Sequence, residues 1–97
     1  MKVKIKKMIE KEKEIDVEFP YYYKHNLYSD YGNDIIYGYL TETKDISIQE
    51  CNNYNGDTTY SIEITQRDDS YFKEEYRGTK KDFEAVKKRA MNFLNNL

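Results

Sequence analysis

Tryptophan is absent from the 97 residues, and cysteine, histidine and proline each occur once. The lone Cys51 excludes an intramolecular disulfide and a cysteine metal cluster. The four glycines, Gly32, Gly38, Gly56 and Gly78, are scattered, so there is no glycine-rich loop to cradle a phosphate. No apolar run follows the basic start, and none approaches the ~20 residues of a membrane helix. No signal peptide and no membrane span are therefore expected, and a cytoplasmic location is. Net charge is small as well, −2 at neutral pH, which argues against a general nucleic-acid binder.

What the chain does contain bounds it further. Its length predicts a single domain over residues 1–97 with one thin core. Hydrophobic residues make up 38% and charged residues 35%, so the apolar side chains must be well placed for folding. An aromatic share of 15% separates the sequence from the disordered class. Charge is unevenly spread. Residues 79–97 carry five bases and two acids (+3), residues 9–78 carry seven bases and sixteen acids (−9), and the first eight residues add four lysines.

The one long amphipathic pattern runs from Thr79 to Leu97. Phe83, Val86, Ala90, Phe93 and Leu97 recur at spacings of three and four, with Leu94 beside them, and most of the lysines fall outside that stripe. Gly78 ends the preceding pattern, and Thr79 with Asp82 three residues on approximates a capping box. A lone helix of this length is marginal in water, so its apolar face needs a partner.

The remainder reads as strands. Val3, Ile5 and Ile9 alternate with lysines, and Ile15, Val17 and Phe19 alternate with acids in the same phase. An antiparallel hairpin turning near Glu10–Glu12 puts the apolar sets on one face, towards the helix. It sets Lys2, Lys4 and Lys6 opposite Glu18, Asp16 and Glu14, cross-strand pairs worth about 0.2–1 kcal/mol each. Pro20 interrupts the second strand at a bulge or edge, and Tyr21 to Tyr23 continue it towards His25. Residues 26–34 read as a loop from their turn chemistry, and 35–41 as a third strand. There the parity of Ile36, Gly38 and Leu40 is expected to face the helix, with Gly38 allowing a close approach, which leaves Tyr37 and Tyr39 facing solvent. After a turn over 41–45, Ile46 and Ile48 open a fourth strand ending near Cys51. Asn55-Gly56 marks a tight hairpin, and Tyr60, Ile62 and Ile64 alternate with Thr59, Ser61, Glu63 and Thr65 in a fifth strand. Residues 71–77 predict a last short strand. The expectation is an α+β fold, an antiparallel meander sheet of five to six strands with one C-terminal helix packed on one face.

Two stretches carry a resemblance. The first is Met1 to Lys7 with Ile9-Glu10, Glu12, Glu14-Ile15 and Pro20 before Tyr22-Tyr23. The second is Thr79 with Asp82-Phe83, Ala85 and the leucine-ended helix. Over residues 1–23 and 76–97 the chain resembles small uncharacterised proteins of phages and other mobile elements of low-GC Gram-positive bacteria. What the resemblance implies is a setting, which includes inhibitors of host defence, anti-CRISPR proteins among them. It carries over no catalytic or binding residue.

Weighed singly, the candidate chemical groups are weak. His25 would need Asp30 and Asp34 to make a metal site and lacks regular ligand spacing with them, so it reads as a strand-end histidine. Cys51 has no basic neighbour to form a reactive thiolate and reads as a small strand residue. Asp68-Asp69 and Glu74-Glu75 are adjacent pairs whose members point apart in a strand, not acid–base dyads. A non-enzymatic protein without cofactor or metal is expected.

The anomaly is tyrosine. Eleven of the fifteen aromatics are tyrosine, and seven of those lie between Tyr21 and Tyr39. Tyrosine suits half-buried strands, but interfaces are also enriched in it. Tyr22, Tyr28, Tyr31, Tyr37 and Tyr39 are accordingly the candidate partner-binding residues. One reading is a protein-binding module, an inhibitor of a host protein steered by the acidic middle. The alternative is a single-stranded nucleic-acid binder that stacks bases on Tyr37 and Tyr39 and holds phosphates with lysines. Acids beside the tyrosines favour the first reading, and bases beside them the second.

Overall fold

A computed structural model describes residues 2–6 and 12–96, and the side chains from Val17 onward. In chain order the elements are β1 (Lys2–Lys6), β2 (Glu12–Asp16), β3 (Tyr21–Ser29), β4 (Gly32–Leu40), β5 (Lys44–Asn53) and β6 (Thr58–Gln66). Two 3-10 turns (Asp69–Tyr71 and Glu74–Tyr76) and α1 (Lys80–Asn95) complete the chain. The fold is α+β, an antiparallel sheet with one C-terminal helix. The sheet itself is smaller than expected: β3-β4-β5-β6 form a four-stranded meander, and β1 and β2 form a separate two-stranded ribbon.

Two local causes reduce the strand count. The chain bends at Pro20, which has no N–H to give to a ladder, so the first hairpin does not run on into the sheet. Residues 71–77 form a strand nowhere; the two 3-10 turns replace it, and a single bridge between Tyr23 and Arg77 is all the pairing this segment makes. Asp68 starts the first turn by accepting a hydrogen bond from the Ser70 N–H at 2.9 Å.

β1 and β2 are antiparallel, with Lys2 opposite Asp16, Lys4 opposite Glu14 and Lys6 opposite Glu12. This register is displaced by two residues from the expected one, a shift that leaves the parity intact because side chains alternate with period two. Ile9, most of the turn placed near Glu10–Glu12, and Leu97 lie outside the described residues. The expected loop over 26–34 is instead the end of β3, a tight turn at Asp30-Tyr31 and the start of β4, with Tyr28 opposite Asn33 and Ser29 opposite Gly32. The Ser29 hydroxyl explains how polar residues hold that turn: it accepts from the Tyr31 N–H at 3.3 Å and donates to the Gly32 carbonyl at 3.2 Å. Asn55-Gly56 turns β5 into β6 as expected, with Gly56 at φ 93°, a left-handed value that suits glycine.

The helix starts where the sequence predicts, with the Thr79 hydroxyl accepting from the Asp82 N–H at 3.1 Å. It buries Phe83, Val86 and Ala90, while Phe93 is half-buried against the Tyr60 ring and Leu94 is exposed. The strand parity beneath it is the reverse of the expectation. Tyr37 is 7% exposed and packs with Ile48 against the helix, with Tyr22, Tyr39, Ile46 and Tyr60 around them. Leu40 and Ile36 line the other face, in a second cluster with Val17, Tyr23 and Phe72, so Val17 too lies away from the helix. Gly38 serves this second face. The Tyr23 ring lies across it so closely that an added Cβ would fall 1.7 Å from a ring carbon. Gly38 thus gives clearance not to the helix, as the sequence pattern predicts, but to the neighbouring strand's aromatic ring.

Candidate functional site

Successive hairpins of similar length bring the β3–β4 turn and the β5–β6 turn to the same end of the sheet, the β4–β5 turn lying at the other. The first two are bound together. The Tyr54 N–H donates to the Tyr31 carbonyl at 3.1 Å, and the Tyr54 hydroxyl donates to the Ser29 carbonyl at 3.2 Å. Asn53 and Gly56 close the second turn, with the Gly56 N–H donating to the Asn53 carbonyl at 3.0 Å. From this tied backbone three rings project into solvent: Tyr28, Tyr31 and Tyr54, exposed by 76%, 83% and 73%.

The five tyrosines singled out in sequence thus divide. Tyr28 and Tyr31 stand at the tip, exposed. Tyr22, Tyr37 and Tyr39 lie under the helix: the Tyr22 ring centroid is 5.4 Å from that of Tyr39, and both sit within 6 Å of Phe83. The expected solvent exposure of Tyr37 and Tyr39 is therefore corrected, because the helix covers the tyrosine parity of β4. Tyr54 was missed. Its signal was the neighbouring Asn55-Gly56, since a residue beside a tight hairpin turn in a meander must stand near the turn two strands away.

Near the tip the two hairpins themselves carry charge of one sign. Asp30, Asp34 and Asp57 fall in or beside the two turns, and no lysine or arginine occurs in residues 25–43 or 45–66. Asp34 accepts from the Gln49 side chain at 3.2 Å, an interaction that spans β4 and β5.

Elsewhere the two buried carboxylates are satisfied internally. On the helix face, Glu50 accepts hydrogen bonds from Arg89 at 2.8 Å and from the Tyr60 hydroxyl at 2.7 Å. Burial pushes the Glu50 carboxyl up, but those two donors outweigh it and hold the group below the usual carboxylate range. On the opposite face the buried Asp45 accepts from the Tyr23 hydroxyl at 2.8 and 3.0 Å. Burial raises the Asp45 carboxyl, the Tyr23 hydrogen bond partly offsets this, and Asp68 and Glu63 raise it further. Tyr23 is itself raised by burial and by Asp45, and the Tyr71 ring stacks on it at 4.0 Å. A cavity of about 200 Å³ opens beside this pair, lined by Asp45, Ser47, Glu63, Asp68 and Tyr71 among others. Among the described residues no three histidine, cysteine or acidic side chains converge to hold a metal ion. His25 packs edge-on to the Tyr71 ring and tilted against the Tyr76 ring, Asp69 pairs with Arg67 at 2.7 Å, and Cys51 is half-buried on β5.

Fold and site together define a small α+β domain in which a helix-backed antiparallel sheet holds up a hydrogen-bonded tip of exposed tyrosines. Among known proteins, no family model, no curated protein and no solved structure matches the chain. Among the described residues no helix is long and apolar enough to cross a membrane.

Proposed function

We propose that the protein is a non-enzymatic protein-binding module whose contact surface is the tip formed by Tyr28, Tyr31 and Tyr54. The observation that carries this reading is the exposure of all three rings, 73–83%, on two turns that hydrogen bonds lock together. Tyrosine supplies large contact area at low entropic cost, and a preorganised backbone lowers that cost further. Asp30, Asp34 and Asp57 beside the rings suit a partner with a basic surface. The resemblance to small proteins of phages and mobile elements supports a host protein as that partner and its inhibition, as by an anti-CRISPR protein, as the effect. The nucleic-acid alternative is weaker on two counts. Its stacking residues, Tyr37 and Tyr39, lie beneath the helix, and the exposed tyrosines are flanked by acids rather than bases.

The test is a triple variant, Tyr28→Ala with Tyr31→Ala and Tyr54→Ala. Exposed rings contribute little to folding, and the backbone bond from the Tyr54 N–H to the Tyr31 carbonyl survives loss of the Tyr54 hydroxyl. The variant's circular dichroism should therefore match the parent, while each interface tyrosine lost can cost ~2 kcal/mol of binding. Capture of a host protein from nuclease-treated lysate should fail with the triple variant. Undiminished capture would place the contact elsewhere, and tight binding of the parent to a single-stranded oligonucleotide would favour the alternative.

A further inference from the structure

The two outer edges of the sheet are treated differently. Along β3, the Gly78 N–H donates to the Tyr22 carbonyl at 3.0 Å and Arg77 bridges to Tyr23, so the segment before the helix covers the start of that edge. Along β6, all nine residues Thr58–Gln66 pair with β5 on one side, and among the described residues nothing pairs with the other. A free edge presents unpaired N–H and C=O groups, and proteins blunt such edges with proline, lysine, bulges or short strands. Of the residue devices β6 has only the charge of Glu63. It holds no proline and no basic residue, its single charge is Glu63, and the rest is threonine, serine, tyrosine, isoleucine and glutamine, residues mostly suited to strands. Ile62 and Ile64, on the helix side of the strand, are 50% and 66% exposed. Met91 and Leu94 on the helix are about half exposed as well.

We infer that β6 pairs antiparallel with β6 of a second copy of this chain, joining two four-stranded sheets into one. The strand is complementary to itself. Ile62 is its middle residue, so a two-fold axis there pairs the whole of Thr58–Gln66 with nothing left over. Tyr60 then faces Ile64 of the other copy and Ile62 faces Ile62, an unbroken apolar row on the helix side. On the opposite side Glu63 faces Ser61, and Thr59 faces Thr65. No acid opposes an acid. Sliding by one step to centre on Glu63 would set two carboxylates against each other, which disfavours that register. The dimer keeps both helices on one face and points the two tyrosine tips in opposite directions, so it leaves the proposed binding surface free.

Sedimentation equilibrium of the whole chain tests this. The parent should sediment as a dimer, and Ile62→Lys, which brings two ammonium groups together on the axis, should sediment as a monomer with an unchanged circular dichroism spectrum. An equimolar mixture of Ile62→Lys and Ile62→Glu should recover the dimer, because opposite charges then face across the junction. The tip variant, Tyr28→Ala with Tyr31→Ala and Tyr54→Ala, should remain dimeric. A parent that stays monomeric across the accessible concentration range overturns the inference. So does a dimer that survives Ile62→Lys, or a charge-swapped mixture that fails to recover it.

Discussion

The two faces of the sheet draw on alternate residues of the same strands, yet they are closed by unlike means. One face meets α1, a regular element that places Phe83, Val86 and Ala90 over Tyr37 and Ile48. The other meets Val17 and the irregular segment after β6, which contributes Phe72 beneath Tyr23 and Leu40. Each face also buries one carboxylate from β5, and their fates differ. Glu50 meets a cation because the helix delivers Arg89 to it. Among the described residues Asp45 meets only a tyrosine hydroxyl, with Glu63 and Asp68 for company. Closing a sheet with a helix brings a patterned set of charges with the apolar stripe, whereas an irregular cover supplies rings and leaves charge uncompensated.

The largest effects expected are those that strip a face of its rings. Tyr37→Ala with Tyr39→Ala should unfold the domain, since truncating a buried aromatic costs about 3–5 kcal/mol and total stability is of order 5–15. Phe72→Ala should cost about 3–5 kcal/mol alone, because its ring is among the most buried in the chain. Denaturant titrations would show it; a Phe72→Ala protein as stable as the parent would mean that the irregular cover is dispensable and the comparison false. Phe93→Ala, at a half-buried site, should cost less than Phe72→Ala.

A smaller effect should follow from Arg89→Ala, which leaves Glu50 buried with Tyr60 as its remaining close partner. Hydrogen bonds to charged groups are worth about 1.5–3 kcal/mol, and the half-exposed arginine sits at the lower end of that range. Double variants with Glu50→Gln should cost less than the sum of the singles if the pair acts as a unit.

The smallest and most discriminating effect is in pH dependence. Glu50 has a folded-state pKa below its unfolded value, so it contributes stability at neutral pH that is lost as pH falls through that lowered pKa. Asp45 has a raised folded-state pKa, so its ionisation costs stability as pH rises through the interval above the ordinary carboxylate value. Through these acidic intervals, Asp45→Asn should gain on the parent as pH rises, and Glu50→Gln should fall behind. Parallel pH profiles for the two variants would erase the electrostatic distinction between the faces.

Several elements were legible because local chemistry writes them. Thr79 and Asp82 announce the helix start, the three-and-four spacing announces its inner face, and Asn55-Gly56 announces a hairpin. The candidate site was half legible. Tyr28 and Tyr31 stood out as tyrosines among turn-forming residues, but Tyr54 joins them only through pairing across strands far apart in sequence.

The sequence by itself determined that the chain alternates into strands and ends in a capped amphipathic helix, because period and capping are properties of a few adjacent residues. It did not determine which side of the sheet the helix would take. In β4 both parities are apolar enough to be buried, aliphatic on one side and tyrosine on the other, so local hydrophobicity balances. The tertiary structure decided it through Gly38. Its missing side chain leaves a hollow on the aliphatic side that the Tyr23 ring fills from the next strand, with its hydroxyl reaching Asp45. With that face given to Tyr23 and Phe72, the helix packs over the tyrosines of the other, and only those beyond its reach remain exposed at the tip.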